Sequence, residues 1–129
     1  MKKTKEKLRV GVVGTGYLGK FHAEKYARMP NVDLVGVVDT NRKAAETVAQ
    51  KLNTRPFYNH LELAEAVDAV SVVVPTSDHF TISRDFLAAD VDVLIEKPMT
   101  TTLEEADELI EFAGSRGLII QVGHLERYN

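Results

Sequence analysis

The run Leu8-Arg9-Val10-Gly11-Val12-Val13-Gly14-Thr15-Gly16-Tyr17-Leu18-Gly19 decides the fold. Its first half is apolar and β-rich, and it meets glycine at once. Its second half has the spacing GxGxxG and opens a stretch of helical periodicity over 17–29, which stops before Pro30. A strand, a glycine loop and a helix in that order form a phosphate-binding arrangement. Gly14 permits the tight turn, Gly16 leaves the backbone open to a pyrophosphate, and Gly19 lets the helix close on the strand. The helix start then offers free N–H groups and a partial positive charge.

The same alternation continues outward. Residues 32–38 read as a second strand ending in Asp39, and 42–52 as a helix with Ala45, Val48, Ala49 and Leu52 on one face. Short elements follow at 55–58 (strand) and 61–67 (helix). Residues 69–74 (AVSVVV) form a run dominated by β-branched valine, as in a strand buried on both faces, and Pro75 ends it. A helix at 80–89, a strand at 91–95, a helix at 103–116 with Gly117 as its C-cap and a strand at 118–122 complete the series. Six strands separated by helices predict a doubly wound, parallel, six-stranded α/β sheet of the Rossmann type. Ligands bind such sheets at the carboxyl ends of the strands, so the residues after each strand are the ones to inspect.

Asp39 lies twenty residues after Gly19. A carboxylate there can accept hydrogen bonds from the 2′- and 3′-hydroxyls of an adenosine ribose. A 2′-phosphate would meet a like charge, which favours NAD. Arg42 and Lys43 leave NADP open, because a nearby arginine can accommodate that phosphate.

Composition narrows the classes. The chain has 129 residues, 44% of them hydrophobic and 27% charged, which suits one globular domain. A net charge of -3 gives no basic field for nucleic acid, and no apolar run reaches the length of a membrane span. Cysteine is absent, which excludes a disulfide scaffold and any Cys-ligated metal, and agrees with a reducing cytoplasm. Histidines at 22, 60, 79 and 124 show no metal-ligand spacing, so no metal is expected. Lys2, Lys3, Lys5, Lys7 and Arg9 have no apolar segment of signal-peptide type after them and read as a solvated terminus. The chain stops at Asn129 soon after a strand-like run, which reads as a domain taken from a longer protein.

The later strand ends carry Pro75-Thr76-Ser77-Asp78-His79, Glu96-Lys97-Pro98 and Gly123-His124-Leu125-Glu126-Arg127-Tyr128. With GTGYLG and the acid of VVD, these segments resemble the Gfo/Idh/MocA family of NAD(P)-dependent oxidoreductases along the whole chain. The resemblance implies that Gly14, Gly16 and Gly19, with the backbone of Tyr17 and Leu18, hold the pyrophosphate. Asp39, with Thr40 and Arg42 beside it, would take the adenosine ribose. Pro75 and Thr76 would line the cleft with His79 close by. Glu96 and Lys97 would stand near the nicotinamide ribose and substrate, with Lys97 as the catalytic group that handles the substrate proton during hydride transfer. His79 is equally readable as a helix-start packing residue, and His124 and Arg127 as substrate contacts or hinge supports. His22 reads as a packing or surface residue.

The resemblance further implies that residues 1–129 are the dinucleotide-binding domain of a dehydrogenase. Its substrate would be a sugar, nucleotide sugar or polyol. The family's C-terminal substrate and oligomerisation domain lies outside this sequence, so the chain alone should turn over slowly or not at all. Homo-oligomers would form through that domain. Two other readings share the glycine loop: a non-catalytic dinucleotide sensor, and an S-adenosylmethionine-dependent methyltransferase. Neither has a use for Glu96-Lys97-Pro98, and Val12-Val13 stand where a methyltransferase loop usually carries an acid.

Overall fold

The computed structural model describes residues 7–123. The expectations at Lys2, Lys3 and Lys5, and at His124 and Arg127, lie outside the described residues.

The elements run β1 (Leu8–Val13), α1 (Tyr17–Arg28), β2 (Val32–Val38), α2 (Arg42–Leu52), β3 (Arg55–Phe57), α3 (His60–Ala64), β4 (Ala69–Val72), α4 (His79–Ala88), β5 (Asp92–Glu96), α5 (Leu103–Ser115) and β6 (Ile120–Gly123). A 3-10 turn over Thr76–Asp78 precedes α4. The strands form one sheet in the order β3-β2-β1-β4-β5-β6, every pair parallel. This is the doubly wound arrangement that the alternating pattern predicts, with strand order reversing between β1 and β4.

Side-chain alternation along each strand sorts residues to two faces. Val13, Val38, Val70, Val72, Val93 and Ile95 join Phe86, Leu87 and Leu109 in one core. Val12 and Val37 join Ala23, Val48 and Ala49 in the other. Each fully buried aliphatic or aromatic side chain contributes about 1.5–3 kcal/mol from burial, so both faces of the sheet are secured apolarly.

Local chemistry fixes the ends that matter for the cleft. Asn41 caps α2 by accepting a hydrogen bond from the Ala44 N–H at 3.0 Å. Thr102 caps α5 from the Glu105 N–H at 3.1 Å. Gly117 follows α5 with φ +70°, the left-handed position expected of it.

Most element ends fall within one or two residues of the sequence pattern, and three differences bear on the cleft or its surroundings. The apolar run at 69–74 pairs as a strand only to Val72. Its neighbour β1 turns away at Gly14, so Val73 retains one bond, from its N–H to the Val13 carbonyl at 2.8 Å. The helix expected at 80–89 begins at His79, because Pro75 starts the 3-10 turn with a bond from the Asp78 N–H at 2.9 Å. The helix expected over 61–67 covers only His60–Ala64. No described helix is long and apolar enough to cross a membrane.

Candidate functional site

A cleft of about 880 Å³ opens where β1 and β4 diverge. The glycine loop, Asp39 and Thr40 line one side, while Val73, Val74, Pro75 and Thr76 form the floor. Glu96 and Lys97 border the far end.

The three loop glycines do different work. Gly14 has φ +105°, and a Cβ there would fall 2.0 Å from the Val73 carbonyl oxygen. A Cβ on Gly19 would fall 1.9 Å from the Gly14 carbonyl oxygen, so the first turn of α1 lies directly on the loop. At Gly16 a Cβ would meet nothing within 4 Å. No packing requirement explains glycine at 16. The bare backbone there faces open cleft at the start of a twelve-residue helix, as a bound pyrophosphate requires. Tyr17, the first residue of α1, is 84% exposed at the cleft mouth.

Asp39 follows β2 directly and is fastened to the loop. Its Oδ2 accepts from the Thr15 N–H at 3.0 Å and the Thr15 hydroxyl at 2.6 Å, and its Oδ1 from the Asn41 N–H at 2.9 Å. Partial burial pushes the carboxyl up. The bonds from the Thr15 hydroxyl, the Asn41 N–H and the Thr15 N–H outweigh that burial and hold it below its ordinary value. An ionised carboxylate has about four acceptor positions, so one remains, on Oδ1.

Arg42 lies outside the cleft lining. Its guanidinium stands 3.8 Å from the centre of the Tyr58 ring. The Tyr58 hydroxyl in turn donates to Glu46 Oε2 at 2.7 Å, and this bond raises the Tyr58 pKa. Arg42 is therefore stacked on a residue that itself lines the cleft. His60 also lines the cleft and is paired with Asp85 at 2.8 Å.

His79 borders the cleft, yet only 2% of it is exposed. Its Nδ1 lies 2.9 Å from the Met99 carbonyl and its Nε2 2.9 Å from the Val74 carbonyl. The ring thus sits between the chain after β4 and the chain after β5, donating to one carbonyl from whichever nitrogen carries the hydrogen. It is packed at the start of α4 while still bordering the cleft.

Glu96 closes β5 beside Lys97, which is followed by a cis Lys97–Pro98 bond. The Glu96 carboxylate is held at 3.0 Å by His22 Nε2. His22 Nδ1 lies 3.3 Å from the Ser71 hydroxyl, itself 2.6 Å from the Tyr26 hydroxyl. His22 is buried as a packing residue would be, but it also touches the cleft-lining acid. Sequence reasoning missed this link, and also Thr15, Tyr58 and His60. One signal was available: Ser71 is the lone polar residue within the apolar run at 69–74.

Among the described residues, no group of three or more His, Asp or Glu side chains is placed to hold a metal ion.

Comparison with known proteins agrees with this geometry. The Gfo/Idh/MocA family model, described as an oxidoreductase family with an NAD-binding Rossmann fold, matches residues 8–124. A UDP-N-acetylglucosamine 3-dehydrogenase from Acidithiobacillus ferrooxidans is 47% identical over 120 residues, covering 93% of this chain and 38% of that protein. Its solved structure superposes with a TM-score of 0.87 at 46% identity, covering 91% of this chain and 38% of that one. An inositol 2-dehydrogenase from Rubrobacter xylanophilus is 32% identical over 133 residues, covering 100% of this chain and 38% of that protein. GenD2 from gentamicin A biosynthesis, solved in complex with NAD, has a TM-score of 0.88 at 32% identity, over 95% of this chain and 36% of that one. The chain thus spans little more than a third of the length of the relatives it matches.

Proposed function

The chain belongs to the Gfo/Idh/MocA oxidoreductase family, with its NAD-binding Rossmann fold, and on that premise we propose that it is the cofactor domain of a dehydrogenase acting on a sugar, nucleotide sugar or polyol. Supporting the substrate class are the relatives named for UDP-N-acetylglucosamine and inositol. Residues 1–129 act with a separate substrate and oligomerisation domain of the family kind. The setting is cytoplasmic, and the partners are the dinucleotide and a small sugar-like substrate. Nucleic acid and membrane have no part.

Bound NAD supplies a hydride acceptor at its nicotinamide ring. The chain's own residues do the rest. The loop Gly14–Gly19 and the N–H groups of Tyr17 and Leu18 hold the pyrophosphate at the start of α1. Asp39 accepts a ribose hydroxyl on its remaining Oδ1 position, beside Thr40. Pro75 and Thr76 shape the floor. Glu96 would stand near the nicotinamide ribose, with its carboxylate held by His22. The Lys97 side chain hydrogen-bonds the substrate oxygen and takes up or returns its proton as the carbon is oxidised or reduced.

The observation that carries this reading is the open space at Gly16, at a helix start inside the cleft. Calorimetric titration of the chain with NAD, NADP and S-adenosylmethionine tests it. Binding of a dinucleotide, NAD more tightly than NADP, with no binding of S-adenosylmethionine, is the expected result. Absence of dinucleotide binding overturns it.

A further inference from the structure

Period-two alternation places Ser71 of β4 on the face opposite Val70 and Val72, and Glu96 of β5 on the face opposite Val93 and Ile95. Both reach toward α1, where His22 and Tyr26 meet them. One arrangement of hydrogens uses every group once. The Tyr26 hydroxyl donates to Ser71, the Ser71 hydroxyl donates to His22 Nδ1, and the His22 Nε2–H donates to an ionised Glu96. The arrangement fixes the tautomer of His22 and anchors the carboxylate at the end of the chain. Glu96 and His22 are 17% and 9% exposed, so water competes little for this bond.

Lys97 is exposed one residue further on. Among the described residues it makes no ion pair. The nearest acid in sequence, Glu96, borders the same cleft but is turned onto His22.

We propose that His22 is a positioning residue: it holds the Glu96 carboxylate against α1, keeps it off the Lys97 ammonium, and so leaves Lys97 without a counter-ion in the cleft. This inference rests on the reading of Lys97 as the group that meets the substrate. Released from His22, the Glu96 carboxylate swings to the neighbouring ammonium. The pair then holds that nitrogen charged and occupied, so it is less reactive toward any electrophile or substrate oxygen.

Competitive acetylation of the chain with trace acetic anhydride at one fixed pH, read lysine by lysine by mass spectrometry, measures this directly. His22→Gln puts an amide N–H where Nε2–H stands, and should leave Lys97 labelling as in the wild type. His22→Asn reaches only as far as Nδ1 and releases Glu96. It should lower Lys97 labelling by about threefold or more, the low end of what one hydrogen bond contributes, while Lys20 and Lys25 on the same helix keep theirs. Equal Lys97 labelling in wild type and His22→Asn overturns the proposal. So does an equal fall in the Gln and Asn variants, since loss of packing alone would give it. If His22→Asn fails to fold, Ser71→Ala decides instead. It removes the donor to Nδ1 with little change in volume, and it must lower Lys97 labelling in the same direction or the proposal fails. NAD titration of the wild-type chain runs alongside. Failure to bind NAD would sink the functional reading, while the labelling still decides whether His22 governs Lys97.

Discussion

The carboxylate of Asp39 grips Thr15: one oxygen at the end of β2 takes both the N–H and the hydroxyl of the residue between Gly14 and Gly16. The acid and the phosphate loop come from different strands, yet they are one hydrogen-bonded unit. Substitutions at either place are therefore felt at both.

The unequal surroundings of the glycines predict opposite failures. Gly16→Val should abolish dinucleotide binding in calorimetry while the melting temperature stays near that of the wild type, because a Cβ there meets no protein atom within 4 Å. Gly14→Ala, at φ +105° and against the Val73 carbonyl, should cost at least about 1–3 kcal/mol in denaturant unfolding.

Asp39→Ala should weaken NAD by about tenfold or more, the usual loss for a hydrogen bond to a charged acceptor, and weaken NADP less. Equal losses for the two cofactors in parallel titrations would remove Asp39 as the discriminating residue.

Asp39 also ties stability to acidity. Its carboxyl is held below its ordinary 3.8, so the ionised form is favoured in the fold. The stabilisation it gives is complete above that ordinary value and is lost as the pH falls through the lower folded value. Urea unfolding from about pH 5 downward should show the stability gap between wild type and Asp39→Asn narrowing with acid. A gap that stays constant would contradict the hydrogen-bonded arrangement.

Tyr58 holds Arg42 by stacking. Tyr58→Leu removes the ring and frees the guanidinium to meet a 2′-phosphate. The affinity ratio of NAD to NADP should therefore fall by about threefold, the scale of an exposed cation–π contact. An unchanged ratio would show that Arg42 does not report on that phosphate.

Phe86 is fully buried in the larger core. Phe86→Ala should cost about 3–5 kcal/mol in chemical denaturation. A cost below about 1 kcal/mol would mean that the α4 face repacks freely.

What could be read from the sequence follows the range of the interactions. Val12 and Val13 alternate because a strand has period two, and the glycines and Asp39 have fixed spacing because one strand, loop and helix set it. Those features lie within a single βαβ unit, and both fold class and loop geometry agree with their reading. The link from Ser71 through His22 to Glu96 joins β4, α1 and β5. No local spacing encodes it, because sheet order alone brings those residues together. The same holds for His79, whose neighbouring carbonyls lie on separate strand ends, and for Arg42, whose guanidinium stacks on the ring of Tyr58 just past β3. Helix ends moved for a different reason: Pro75 reshaped its own turn and set the start of α4.

The pairing of Val13 with Val72 has a consequence for how the chain matures. The phosphate loop belongs to the first strand, but the floor beneath it arrives only with the fourth. A growing polypeptide that has completed α2 carries every loop glycine and Asp39, and still has no cleft. The contact that creates the cleft is long-range, and such contacts close late because they bridge a long intervening loop. The nucleotide therefore acts on the finished sheet rather than as a template for it. It lowers the population in which β1 has parted from β4 by mass action, and a chain truncated before Ala69 would keep the whole glycine signature while being blind to NAD.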